Sequence, residues 1–238
     1  VALSSESDNR RKQWNMARYV DKLIDELRGH IADLGKNGGG VNPSIYDTAQ
    51  ALRLYPPAQG VRPGLRWLMS QQKADGGWGN CNLPLTRDVP TLAAVVTLHR
   101  YCTNRAMKRA VEAGVDFLER QASQWAAPLP DDLPVAAELI LPSLVKEGIE
   151  RGLGLSLAPY AALNNQGERQ RAVMATLKPG GGTPFVFSWE AWGDEPHPDL
   201  IDSIGSVGNS PAATAAWLGA AGRNPKLADQ VGRAEVYL

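Results

Sequence analysis

Few side chains in this 238-residue chain are of types that carry chemistry, and their spacing excludes more than it offers. His30, His99 and His197 are far apart and show no HExxH or comparable metal-ligand spacing. They read as structural or exposed. Cys81 and Cys102 form no CxxC pair and cannot build a metal site alone. They read as buried or free thiols of a reducing compartment. Asp131 and Asp132 make the only Asp-Asp pair, in the run Pro130-Asp131-Asp132-Leu133-Pro134, where Asp132 can cap a helix and Asp131 can stay solvated. Glu168-Arg169-Gln170-Arg171 reads, on its own, as a solvated helix face. Trp189 and Trp192 flank Glu190. Lysine plus arginine and aspartate plus glutamate each total 25, so the net charge is zero and no nucleic-acid footprint is visible.

The elements that must position these residues are helices. Met16, Val20, Leu23, Ile24, Leu27, Ile31 and Leu34 follow helical spacing, which predicts one amphipathic helix over 11–34. Gly35 ends it, and Gly38-Gly39-Gly40 makes a joint. Ser44 caps the next helix, which stops before Pro56-Pro57. Pro63 sits in the first turn of a helix running into Gln72. Asp88 and Pro90 announce another, and Asn104 caps a helix carrying Met107, Val111, Val115 and Leu118. Asp132 before Pro134 is expected to start a helix through Leu139 and Leu144, bent at Pro142. A helix near 166–177, one from Ser210-Pro211 to Gly222, and one after Asn224-Pro225 complete the set. Thr183 to Trp189 alternates only weakly, so strand signals are poor. The fold expected is all-α, with sequential helix pairs forming an α/α barrel of alternating inner and outer helices. Gly114 to Gln121 reads as a decayed echo of Gly64 to Gln71. Val1 to Arg11 is polar, so no signal peptide is visible. No apolar run approaches ~18 residues, so the expectation is a cytoplasmic protein without a membrane span.

One motif is more specific than the helix grammar. Gln72-Lys73-Ala74-Asp75-Gly76-Gly77-Trp78-Gly79 reads QxxDGGWG. It places a tight glycine turn, with positive φ at Gly76 and Gly77, after a helix end and plants an indole against that helix. Gln72 can offer its amide to the freed carbonyls or to the ring of Trp78. Trp67, Trp78 and Trp217 read as core.

This run resembles the QW motif of terpene cyclases, and three further segments are similar to the same family. They are Ser44-Ile45-Tyr46-Asp47-Thr48-Ala49, the stretch Leu133 to Leu144, and the block from Ser188-Trp189-Glu190 to Ala215. Together they cover roughly residues 40–220 and resemble class II diterpene cyclases of the copalyl diphosphate synthase type, in their bacterial branch. The resemblance implies residues 1–40 as a first helix and joint of a β domain, 41–222 as an inserted γ domain built as an α/α barrel, and 223–238 as re-entry into β. It implies an isomerase of diterpene biosynthesis that protonates geranylgeranyl diphosphate and closes a bicyclic diphosphate such as copalyl diphosphate. An alkene is a very weak base, so the acid must stay protonated at neutral pH. The family's DxDD acid is absent here, so this chain alone is expected to be inactive and to need the remainder of the β domain as its partner.

For this part, the resemblance implies a head-group and cavity role. Glu138 matches a family glutamate and, with Asp131 and Asp132 near an otherwise missing acidic cluster, is the expected magnesium ligand set, since oxygen ligands suit that ion. Arg169 and Arg171 fall where the family carries a basic residue and are expected to hold the diphosphate. Phe187 stands in place of a family histidine, so that base is not carried over. An aromatic there can shield a cation; with Trp189 and Trp192, Phe187 is expected to line the cavity. Tyr46 and Asp47 read as a buried hydrogen-bonded pair. Two rivals stand beside this reading: a non-catalytic α/α-barrel binding module, and a squalene-type cyclase, which the Ser44–Ala49 block and the single clear QW motif disfavour.

Overall fold

The computed structural model describes residues 19–32 and 43–238, which fall into two compact units, Val1–Pro43 and Ser44–Leu238. Of the first unit, residues 19–32 form a helix, α1, carrying Val20, Leu23, Ile24, Leu27 and Ile31 of the expected stripe. Its expected ends and the glycine joint lie outside the described residues.

The second unit is a ring of helices in two layers. In chain order the helices are α2 (Ile45–Leu54), α3 (Arg62–Gln71), α4 (Asp88–Arg100), α5 (Arg105–Gln121), α6 (Ala137–Glu150), α7 (Ala161–Met174), α8 (Pro211–Ala221) and α9 (Ala228–Tyr237). The inner ring runs α2, α4, α6, a 3-10 turn at Val186–Ala191, α8 and back to α2. The outer helices α3, α5, α7 and α9 pack on α2, α4, α6 and α8. Sequence composition explains the sorting. α4 buries Thr91 through Leu98 without a gap and α8 is Ala-rich with Trp217 fully buried, as helices enclosed on all sides must be. α5 buries only Met107, Ala110, Val111, Gly114, Phe117 and Leu118, a single stripe facing inward.

The caps read from sequence are made. Ser44 Oγ accepts from the Asp47 N–H, Asn104 from Met107, Ser210 from Ala213, and Asn224 from Lys226. The α6 start differs from expectation. Asp131 and Asp132 lie exposed in a bend, and the helix begins at Ala137 behind a left-handed Ala136 with φ 57°. Pro134 and that left-handed residue hold back the helical backbone, so Asp132 caps nothing. The weak alternation at Thr183–Trp189 yields no strand: Phe185 takes φ 57° and the chain coils into the 3-10 turn. Gly222 ends α8, and the body continues past it, because Leu227 and Ala234 return to the core cluster of Trp217.

The QxxDGGWG turn is a dense knot. Gln72 Nε2 donates to the carbonyls of Gly76 and Ala110, each at 2.8 Å, and Trp78 Nε1 donates to Leu68 O at 2.7 Å. The glutamine therefore takes the freed carbonyls, not the indole. Asp75 grips Arg87 with both oxygens, at 2.6 and 2.8 Å, while Arg87 Nε donates to Trp78 O and its guanidinium lies 4.5 Å from the Phe117 ring centre. Gly76 takes the expected positive φ of 91°, and a Cβ there would sit 2.2 Å from Ala113 O. Gly77 does not take positive φ; Gly79 does, at 94°. Gly77 is needed because a Cβ would meet Arg87 and Phe117 at 2.8 Å.

Among the described residues the buried Arg87 pairs with Asp75 alone. Asp75→Asn should cost about 2 kcal/mol, the scale of a charge-assisted hydrogen bond, measured by urea unfolding at pH 7. An unchanged midpoint would show the pair to be solvated and idle.

Candidate functional site

Three inner elements are tied together by one chain of polar side chains. The Tyr46 hydroxyl on α2 donates to Glu190 Oε1 in the 3-10 turn at 2.6 Å. It accepts from Gln50 Nε2, one helical turn on, at 2.9 Å. Gln50 Oε1 accepts from Arg53 Nε at 3.1 Å, and the Arg53 guanidinium reaches across to Glu147 on α6. Glu147 Oε1 then accepts from Arg151 Nε at 2.8 Å. The spacing 46, 50, 53 is that of one helix face, so α2 presents its polar residues along a single line inside the ring. Asp47 belongs elsewhere: it accepts from the Ala212 N–H at the start of α8, at 3.3 Å. Tyr46 and Asp47 are therefore not the mutually bonded pair expected; each bridges α2 to a different element.

Beside this chain lies a groove of about 1210 Å³ between α6, α7 and the segment 189–195. Arg53, Glu147 and Arg151 open onto it, with Lys146, Arg171, Trp189, Glu190 and Trp192. Of the residues expected at a site, Arg171, Trp189 and Trp192 are brought together here. The others are not. Phe187 is 38% exposed, packs on Phe185 and lies outside the groove wall. Arg169 is exposed on α7. Glu138 is buried in the first turn of α6 and is not in the groove lining.

The groove is acidic on balance. Glu147, Glu150, Glu168, Glu190, Asp194 and Glu195 face Arg53, Lys146, Arg151 and Arg171. Its basic groups are also engaged: Lys146 and Arg171 share Glu168 at 2.9 and 3.1 Å, and Arg151 and Arg53 share Glu147. Arg171 Nη2 further donates to the carbonyls of Leu139 and Ala191, at 3.1 and 3.0 Å. That side chain staples α6, α7 and the turn together. Among the described residues no three His, Cys, Asp or Glu side chains gather as a metal site. Asp131 and Asp132 are exposed in a bend while Glu138 is buried in α6, so this donor set does not fit a shared magnesium ion.

Two buried carboxyls are shifted upward. Burial pushes Glu190 to about 7, against the Tyr46 hydrogen bond and with Asp47 adding repulsion. Its Oε2 is buried and receives no donor. Burial pushes Asp88 to about 6, although Trp125 Nε1 donates to its Oδ2 at 2.5 Å. Arg53 is shifted down, because burial disfavours its charge more than Glu147 restores it. The sequence offers one faint signal for this network: Tyr46, Gln50 and Arg53 at helical spacing on a helix whose other residues are largely apolar. Nothing local points to Glu147 as their partner.

No protein-family model matches the chain. Its helical fold is that of an abietadiene synthase from Abies grandis, with TM-score 0.73 over 93% of this chain and 30% of that chain at 24% identity. An ent-copalyl diphosphate synthase from Streptomyces platensis matches at TM-score 0.55 and 28% identity, over 80% of this chain and 42% of that one. The chain is homologous to one portion of the class II diterpene cyclases. In sequence it is 48% identical over 238 residues to (+)-kolavenyl diphosphate synthase of Herpetosiphon aurantiacus, covering 94% of this chain and 46% of that protein. The chain spans about half the length of the curated relatives it matches. Among the described residues no helix is long and apolar enough to cross a membrane.

Both raised carboxyls bind a proton more tightly folded than unfolded, so stability falls as pH rises between the two values. For Asp88 the window runs from 3.8 to about 6, and for Glu190 from 4.5 to about 7. Within its window each group should cost about 1.4 kcal/mol per pH unit. Denaturant midpoints at half-unit steps should flatten over the lower window in Asp88→Asn and over the upper one in Glu190→Gln. A stability that rises from pH 4 to 7 would contradict both assignments.

Proposed function

We propose that this chain is the N-terminal portion of a longer enzyme that cyclises geranylgeranyl diphosphate to a bicyclic labdane-type diphosphate by protonating its terminal alkene. The observation that carries this is the 48% identity, over 94% of the chain, to a protein named (+)-kolavenyl diphosphate synthase. The chemistry divides accordingly. Protonating an alkene needs a carboxylic acid kept neutral in a dry site, and the DxDD motif that supplies it in the family is not in this chain. This portion supplies an α/α barrel that runs through α9, whose Ala234 is buried in the Trp217 cluster.

In this reading the diphosphate is held on the face of α7 that presents Arg169, whose guanidinium is exposed, and Arg171 keeps that face in place. Trp189 and Trp192 supply apolar and π surface on the wall of the groove that Arg171 borders. Glu138, Asp131 and Asp132 do not form a set, so no step is assigned to magnesium through them.

The test compares two preparations incubated with geranylgeranyl diphosphate, with products read by mass spectrometry. The 238-residue chain should give no bicyclic product, and the longer protein that includes the DxDD-bearing barrel should give one. In the longer protein, Arg169→Ala should raise KM about tenfold, as expected for one lost charged contact, and leave kcat nearly unchanged. Product from the short chain would refute the division of labour. An inert longer protein would refute the reaction, and a kcat-only effect of Arg169→Ala would refute the head-group role.

A further inference from the structure

We propose that Glu190 is a proton-operated latch on the groove wall: while its carboxyl is neutral the turn Val186–Ala191 is held on α2, and loss of the proton drives the carboxylate toward groove water and frees the turn. The placement is unusual. Glu190 lies in the turn that completes the inner ring between α6 and α8. One oxygen takes the Tyr46 hydroxyl at 2.6 Å, and the other is buried with no donor. A neutral carboxyl tolerates that arrangement. A carboxylate wants several donors, and here it has the Tyr46 hydroxyl and a weaker contact with its own backbone N–H, too little to offset burial, so the ionised form is the strained one.

Among the described residues no second side chain donates to Glu190. From α2, Tyr46 is already donating, Asp47 repels and Arg53 attracts from a distance. Arg53 itself is spent on Gln50 and Glu147. From α7, Arg171 holds the neighbouring Ala191 carbonyl and Glu168, not Glu190. Asp194 and Glu195, on the same groove, add negative charge. The open groove is the one escape, and Glu190 already borders it. Burial and Asp47 set the midpoint at about 7, so the latch works across the neutral range. Because Trp189 and Trp192 flank Glu190, its release moves the aromatic part of the wall. The latch belongs to the chain without substrate and stands apart from the cyclisation reading.

The test is a carboxyl-carbon NMR titration of the 238-residue chain, with the Glu190 signal assigned by its loss in Glu190→Gln. One carboxyl should titrate near 7, and amide hydrogen exchange in residues 186–193 should quicken about tenfold between pH 6 and pH 8 beyond the intrinsic base-catalysed rise. Glu190→Gln should keep this segment slow at every pH. Tyr46→Phe removes the one side-chain donor, so the Glu190 midpoint should move upward, which keeps the test usable should the glutamine variant fail to fold. A Glu190 midpoint below 5, or exchange in 186–193 that ignores the titration, overturns the latch.

Discussion

A guanidinium inside an apolar ring must have its charge and its donors answered locally, and Arg53 is such a group. It is buried, its charge is disfavoured there, and it leans on Gln50 and Glu147. Losing either partner would leave a buried donor set unpaired, which costs far more than the net worth of the pair. The demand therefore sets the rotation of α2 about its axis and its height against α6. Tyr46 and Glu190 continue the same line to the 3-10 turn. A barrel of otherwise interchangeable apolar contacts acquires one register from this chain of polar ones.

A second set of constraints acts at the periphery. The knot around Trp78 joins the end of α3, the start of α4 and the middle of α5 through Gln72, Asp75 and Arg87. Apart from the Gln72–Ala110 bond, which spans 38 positions, these bonds join residues 13 positions apart or fewer, so most of the knot can form locally. The Arg53 line joins residues nearly a hundred positions apart and can form only when the ring is already closed. Outer edge and interior are thus fastened by different means.

This difference explains how much can be read from the sequence. Caps at Ser44, Asn104, Ser210 and Asn224 involve residues two or three apart, and all are legible. The two-layer ring is legible in the apolar stripe on α5 and the unbroken apolar run on α4. The QxxDGGWG turn is legible because glycine, aspartate and tryptophan each have one local task there, though which glycines need positive φ is only half so. The start of α6 is hidden because a left-handed Ala136 carries no residue-type signal. The groove is legible only in Trp189, Trp192 and Arg171. Glu147 and Glu190 gain their importance from partners on other helices, and no spacing along the chain announces that. Arg171 reads as a head-group ligand in sequence because an arginine's type says nothing of whether its donors will be spent on nearby carbonyls.

Pro142 has one more effect. Lacking an N–H, it leaves the Glu138 carbonyl without its helical partner, and Gly167 of α7 comes so near that a Cβ would lie 2.1 Å from that oxygen. Main chain rests on main chain at this seam. At that one contact there is no side chain to shorten, although Arg171 and the Lys146–Glu168 pair bridge the same two helices further along. The spacing of α6 and α7 at this point is thereby set by backbone, and the hollow beside it is shaped by the side chains that line it, Ser143 and Met174 on these helices as much as Trp189 and Trp192 opposite.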